Sequence, residues 1–404
     1  MRYALIPIAV LAFGVLSCVE KLDLNSFPEV PPTDQERIEY IPILPEWTGF
    51  NGPQDVHVGY DELIYVADTE NDRIVMLDLN GTVLGVSQRI IHPVAVTQDR
   101  TLDLLVVGRK DTVLGGTPIQ LSAVFRLNLY EAGHRLDLAY PVPVVLHPTY
   151  ILGRSFRQSD STVYFTGVAT MADNEYFVTR TGPSNASIIQ AGGPDNNILW
   201  FGADDTLITP LTAYLTATGT GKASANQLTS ITTYAVPPQR ADVDPGRSFL
   251  VSLKGENSFR VQGMMYFQTA EESGFIPDPA LEVIDTSAAR RFLYYCDIES
   301  GRPGGCFVQP EDVTYSADNR YIFAVDAATD SVYQFLSNGY EGIRPPSYSV
   351  DRKNIIVSFG GTGSGVNQFR RPHGVAYYQD YKLLIIADTG NNRILRFRLS
   401  TDFQ

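Results

Sequence analysis

Three aspartates stand in closely related surroundings: Asp55 in Pro-Gln-Asp-Val, Asp312 in Pro-Glu-Asp-Val, and Asp242 directly before Val243. Carboxylates that converge on one point can hold a hard cation such as Ca²⁺. Without a cation, their mutual repulsion raises some of their pKa values. The other reading is that each Asp caps its own turn and faces water. The histidines are His57, His92, His134, His147 and His373. His92 and His373 could add imidazole donors of the kind that suit Zn²⁺, although two donors leave a three-ligand zinc site incomplete. Structural or surface histidines are the alternative. Cys296 and Cys306 are separated by nine residues. A disulfide would close that short loop, and two buried thiols are the other possibility. No Gly-x-Ser-x-Gly elbow, phosphate loop or His-Glu-x-x-His helix is present, so no standard catalytic motif is in view.

The elements that must position these residues come as a repeat. One copy runs from Gly52-Pro53-Gln54-Asp55-Val56 to Ile64-Tyr65-Val66-Ala67-Asp68-Thr69-Glu70-Asn71-Asp72-Arg73-Ile74. Another runs from Arg371-Pro372-His373-Gly374-Val375 to Leu384-Ile385-Ile386-Ala387-Asp388-Thr389-Gly390-Asn391-Asn392-Arg393-Ile394. A weaker copy joins Pro310-Glu311-Asp312-Val313 to Ile322-Phe323-Ala324-Val325-Asp326. Val56, Val58, Ile64 and Val66 alternate or cluster as strands require. Asp61-Glu62 and Asp318-Asn319 fall between strand runs, where hairpins need polar residues. Asp68, Asp326 and Asp388 end the second strand, where a carboxylate can bond forward to main-chain N–H groups. Arg73 and Arg393 are placed to reach back to Asp68 and Asp388.

These copies resemble the NHL repeat, with its Pro-x-Gly-Val-Ala, Tyr-Val-Ala-Asp and Asn-x-Arg-Ile pattern. The resemblance implies an all-β fold: a six-bladed, NHL/TolB-like β-propeller with four-stranded antiparallel blades around a central channel. One blade cannot bury its own faces, so neighbours must stack. Three further copies are degenerate: Pro93 to Leu127, Thr166 to Val178, and Asp242 through Phe249-Leu250-Val251 to Val261. Six blades fit between residues 38 and 398, and a seventh could hide in 268–304. The stretch Ile38 to Leu44 could supply the missing outer strand of the last blade, with Pro42 on an edge. That would bring the two ends of the ring together. By the same resemblance, Asp55, Asp242, Asp312 and His373 belong near the channel mouth. Some NHL enzymes, such as the amidating lyase, bind zinc with histidines from several blades. Long loops at Asp111 to Ser122, 203–227 and 268–304 are natural places for specificity.

Residues 1–17 read as a secretory signal, with Arg2 in the n-region and a short apolar stretch from Ala4 to Val15. Val15-Leu16-Ser17-Cys18 resembles the bacterial lipobox, which makes Cys18 the expected lipidation site. Acyl chains contribute roughly 0.8 kcal/mol per buried CH₂, so two or three anchor firmly. Residues 18–37, with Pro28, Pro31 and Pro32, suit an extended tether, and 38–404 form the propeller. Val19 after the cysteine favours the outer membrane over retention in the inner one, on its periplasmic or its surface face. A formal net charge of −14 repels phosphate and argues against nucleic acid as a partner. The expected function is a lipid-anchored envelope module that binds or scaffolds a protein, peptide or glycan, without an assigned cofactor. The alternative is a metal-dependent hydrolase or lyase of the NHL-like propeller group, with Ca²⁺ or Zn²⁺ at the channel mouth.

Overall fold

The structure is a computed structural model. It describes residues 38–185, 193–211, 226–235, 246–255, 261–281, 293, 307–318, 320–347 and 353–403. Cys18, Asp242, Cys296 and Cys306 lie outside these residues.

The described strands form six four-stranded antiparallel sheets. Blade 1 consists of Pro53–Val58, Ile64–Asp68, Arg73–Leu77 and Val83–Val86, from the axis outward. Blade 2 consists of Ile91–Gln98, Leu104–Leu114, Thr117–Leu127 and Val142–Leu146. Blade 3 holds Tyr164–Thr170, Tyr176–Thr181, Asn197–Phe201 and Leu207–Leu211. Blade 4 holds Leu228–Thr233, Phe249–Leu253, Val261–Gln268 and Ser273–Pro277. Blade 5 is built from Pro310–Ser316, Tyr321–Asp326, Ser331–Leu336 and Phe359–Gly360. Blade 6 takes Gly374–Tyr378, Leu383–Asp388 and Arg393–Leu399, and its outer strand is Tyr40–Pro42.

That last pairing closes the ring. Tyr40 stands opposite Leu399 and Pro42 opposite Phe397. Pro42 donates no ladder hydrogen bond, so an outer edge suits it. The Asp111 to Ser122 insertion extends the second and third strands of blade 2 into one long hairpin, paired to Leu114–Thr117.

The second strand of each blade is buried on both faces, and its period of two divides the core. In blade 1, Tyr65 and Ala67 pack toward blade 2 with Val96, Leu104 and Val106. Ile64 and Val66 pack toward blade 6 with Ala376, Ile385 and Ala387. Equivalent apolar clusters fill the other gaps, such as Phe323 and Val325 against Tyr377, Leu384 and Ile386 between blades 5 and 6. The Phe323 and Tyr377 rings stack at 5.1 Å between centroids.

Blade 4 departs from the sequence expectation. Its inner strand is Leu228–Thr233, and residues 234–248 make a connection longer than the other inner hairpins. Its third strand starts at Val261 rather than ending there, and its outer strand Ser273–Pro277 takes up part of the 268–304 stretch. The inner strands of blades 4 and 5 are direct neighbours, so no seventh blade separates them.

Candidate functional site

Aligning the blades by their strand pairing places one residue of every inner strand at the same height. Asp55 faces Ala67, Ala95 faces Val107, and Gly167 faces Thr179. Ser230 faces Ser252, Asp312 faces Val325, and Gly374 faces Ala387. In blades 1 to 5 a bulge lies just before this position. A bulge sharpens the twist and re-aims the next side chain. Sequence spacing assigns Asp242 to this height in blade 4, but Ser230 holds it. That spacing counts back from the second strand, and the long 234–248 connection breaks it.

The two aspartates at this height tie blades together. Asp55 accepts from the Val56 N–H at 2.7 Å and from Val96 N–H of blade 2 at 2.7 Å. Asp312 accepts from the Val313 N–H at 2.8 Å and from Val375 N–H of blade 6 at 2.7 Å. The Ser230 hydroxyl also donates to Asp312. Each carboxylate therefore satisfies N–H groups on the free edge of an inner strand, which no ladder partner reaches. Where the side chain is absent, the backbones come closer. A Cβ on Gly374 would lie 2.8 Å from the Asp55 Cα, and one on Gly167 would lie 3.1 Å from the Ser230 Cα.

Burial sets the protonation of these groups. It pushes Asp55 up to about 6, against the pull of its two main-chain N–H partners. Burial and the Asp55 charge raise Asp312 well above the usual carboxylate range. Two residues along from Asp55, burial lowers His57 to about 4. Its Nε2 accepts the Gln98 N–H at 3.2 Å, so the imidazole is neutral and carries its proton on Nδ1. Burial also lowers His373, which lines the axis one residue before Gly374.

These donors do not fit Ca²⁺ or Zn²⁺. The oxygens of Asp55 and Asp312 are already committed to N–H and hydroxyl donors. His92 is exposed, with Nδ1 3.9 Å from Glu70 Oε1. Among the described residues, no three His, Cys, Asp or Glu side chains group to hold a metal.

The aspartates that end the second strands shape turns. Asp68 accepts from Asn51 N–H, Asn71 Nδ2 and Arg73 Nε. Asp388 accepts the matching set from Arg370 N–H, Asn391 Nδ2 and Arg393 Nε. Asp326 lacks the arginine and serves four main-chain N–H groups, those of Val308, Gln309, Ala328 and Thr329. Sequence reasoning misses the threonines that follow. Thr69 donates to the Pro93 carbonyl at 2.7 Å, and Thr389 to the Pro53 carbonyl at 2.6 Å. Each clasps the next blade. A signal for them exists, since Asp-Thr occurs in both strong copies.

A cavity of about 1060 Å³ runs along the axis, lined by all six inner strands. Its upstream mouth, where the inner strands begin, is lined by Gln54, Tyr164, Asn226, Gln227, Glu311 and His373. Its downstream mouth, where they end, is lined by Tyr60, Glu62, Thr233, Tyr315, Tyr378 and Gln379.

No protein-family description matches this sequence, and no curated protein matches it. Solved structures do match the fold. The PQQ-bound aldose sugar dehydrogenase from Streptomyces coelicolor aligns over 90% of this chain and 99% of its own, at 11% identity and a TM-score of 0.51. An auxiliary nutrient binding protein from Bacteroides thetaiotaomicron aligns over 87% of this chain and 70% of its own, at 10% identity and a TM-score of 0.51. Another from Bacteroides ovatus gives 88%, 70%, 11% and 0.51 for the same measures. At such identities the likeness is one of fold alone. Fold and site together define a six-bladed β-propeller with an axial cavity of mixed polar and apolar walls.

Proposed function

We propose that the chain is a lipid-anchored binding module of the cell envelope, which takes a segment of a protein, peptide or glycan at its axial cavity. The observation that carries this reading is the cavity itself. It is concave and large, it mixes apolar and polar walls, and its ring is bolted blade to blade by buried side chains. Ligand sites have this character: a preformed hollow with a few placed polar groups. The metal-dependent alternative needs a donor set that the described residues lack. The nutrient-binding neighbours are consistent with a binding role, and a propeller alone carries no activity.

Calorimetry of the purified full chain against peptide and oligosaccharide panels tests the binding reading. Heat of binding from at least one panel is expected, and silence from both would sink it. The anchor has its own test. Cys18→Ala is expected to move the protein from the membrane fraction to the soluble one. Unchanged membrane association would remove the lipobox from the reading.

A further inference from the structure

The two mouths of the cavity use their polar groups in opposite ways. At the downstream mouth these groups hold blades together. Thr170 donates to the Gln98 carbonyl at 2.8 Å, and Thr233 donates to the Thr170 carbonyl at 2.6 Å. Ser316 donates to Gln379 Oε1 at 3.2 Å, and the Tyr378 hydroxyl to the Glu62 carbonyl at 2.8 Å. The Tyr60 N–H donates to Gln98 Oε1 at 2.6 Å. These contacts are structural, made between neighbouring blades.

The upstream mouth is different. The side chains of Gln54, Gln227 and His373 line the cavity and make no hydrogen bond within the described residues. Asn226 Oδ1 accepts from Asn196 Nδ2 at 3.0 Å, which holds the amide in place, and its own Nδ2 is unused among the described residues. Tyr164 is 49% exposed, and the Arg109 guanidinium lies over its ring at 4.5 Å. Lys254 Nζ lies 3.3 Å from Glu311 Oε1, and Arg109 donates to the Ser122 hydroxyl and to the carbonyls of Gln120, Ser161 and Val163.

We infer that the upstream mouth is a saccharide site, with Tyr164 as the platform for a sugar ring and Gln54, Asn226, Gln227 and His373 as its hydrogen-bonding groups. This inference rests on the binding function proposed above and names its ligand class. The chemistry selects the class. A carboxamide offers a donor and an acceptor side by side, and a neutral imidazole offers one of each. Neighbouring hydroxyls on a sugar present the same pair. A half-exposed tyrosine ring takes the C–H face of a pyranose and costs little conformational entropy. A nucleic acid would need an excess of free cations, whereas Lys254 is paired with Glu311 and the Arg109 guanidinium is spent on a hydroxyl and main-chain carbonyls. A folded protein partner would need a surface contact on the order of 800 Å² per side, whereas this site is a hollow. An extended peptide would seek a free strand edge, and Asp55 and Asp312 already occupy N–H groups there.

The test uses the full chain in detergent and calorimetric titration with the neutral sugars cellohexaose, xylohexaose and mannohexaose, beside a hexapeptide library. At least one hexasaccharide is expected to bind. Tyr164→Ala and His373→Ala are each expected to weaken that binding about tenfold or more, equivalent to roughly 1.4 kcal/mol. Glu62→Ala, at the downstream mouth, should change it less than about twofold. Melting temperatures are read for each variant, and Gln227→Ala, on an exposed side chain, replaces any variant that melts early. Saccharide binding that survives the upstream substitutions overturns the inference. Peptide binding with no saccharide binding also overturns it, while leaving the general binding function intact. Silence from both probes defeats the two together.

Discussion

Blades 1 and 6 carry the same phrase, Asp-Thr-x-Asn-x-Arg-Ile, and the same Asp–Asn–Arg contact, yet the arginines sit in different places. Arg73 is 33% exposed and reaches Asp68 and the Gly49 carbonyl. Arg393 is 6% exposed and reaches Asp388, Glu46 and the carbonyls of Ser364, Gly365 and Gln368. Blade 6 is the composite blade, completed by a strand from the other end of the ring. Its last turn therefore gathers the segment after Tyr40–Pro42 as well as the 364–368 loop. One local motif makes a turn in blade 1 and fastens the ring in blade 6, and only the neighbours differ.

The largest test of that difference is truncation. Arg393→Ala leaves Asp388 buried without its cation and should cost about 3–5 kcal/mol in urea denaturation. Asp68 is equally buried, but Arg73 is one-third exposed, so Arg73→Ala lets water in beside the carboxylate and should cost less, about 1–2 kcal/mol. Equal losses would erase the distinction between the blades.

Close approach comes next. A Cβ on Gly374 meets the Asp55 Cα, the Gln54 carbonyl and the Val56 N–H at 2.8–3.0 Å, all of them main-chain atoms. Gly374→Ala is expected to cost about 1–3 kcal/mol, measured by the same denaturation. Blade 2 carries Ala95 at this height, so an uncrowded alanine in blade 6 would show that the ring is looser than the register implies. The clasps are smaller. Thr69→Val and Thr389→Val should each lose about 1 kcal/mol, and a neutral result would remove the interblade bond from the account.

The smallest net effect concerns pH, because two neighbours oppose each other. Asp55 has a folded pKa of about 6 against an ordinary value of 3.8. Its contribution is fully present below 3.8 and is lost as pH rises to 6. His57 has a folded pKa of about 4 against an ordinary value of 6.5. Its contribution is fully present above 6.5 and is lost as pH falls to 4. Stability of Asp55→Ser and His57→Gln, each compared with the parent chain from about pH 4 to 7, should therefore diverge with opposite slopes. Slopes of one sign would refute the assignment.

Much of the frame is legible in the sequence because it is local. The second strands of blades 1, 5 and 6 are continuous apolar runs that end on a turn-shaping aspartate, and both features are written in sequence. The inner strand of blade 4 is not legible in this way. Leu228–Thr233 reads Leu-Thr-Ser-Ile-Thr-Thr, a polar run that no hydrophobic period announces. One edge of an inner strand faces the cavity, so it needs no continuous apolar pattern. The candidate aspartates divide similarly. Asp55 and Asp312 stand out by their Pro-x-Asp-Val setting, and both stand at the ring height. Their partners, Val96 and Val375, belong to the next blade and are 41 and 63 residues away.

By itself the sequence determined the class of element, the hairpin turns, the turn-shaping aspartates and the repeat that demands stacking. Each follows from interactions between near neighbours in the chain, so spacing alone reveals it. Only the tertiary structure decided which residue of each inner strand meets the axis, that Asp55 and Asp312 bond to neighbouring blades rather than to a cation, and that Gln54, Gln227 and His373 line one mouth with side chains that make no hydrogen bond among the described residues. Those outcomes depend on which backbone comes to lie beside which side chain when the ring closes, and no local spacing encodes that proximity.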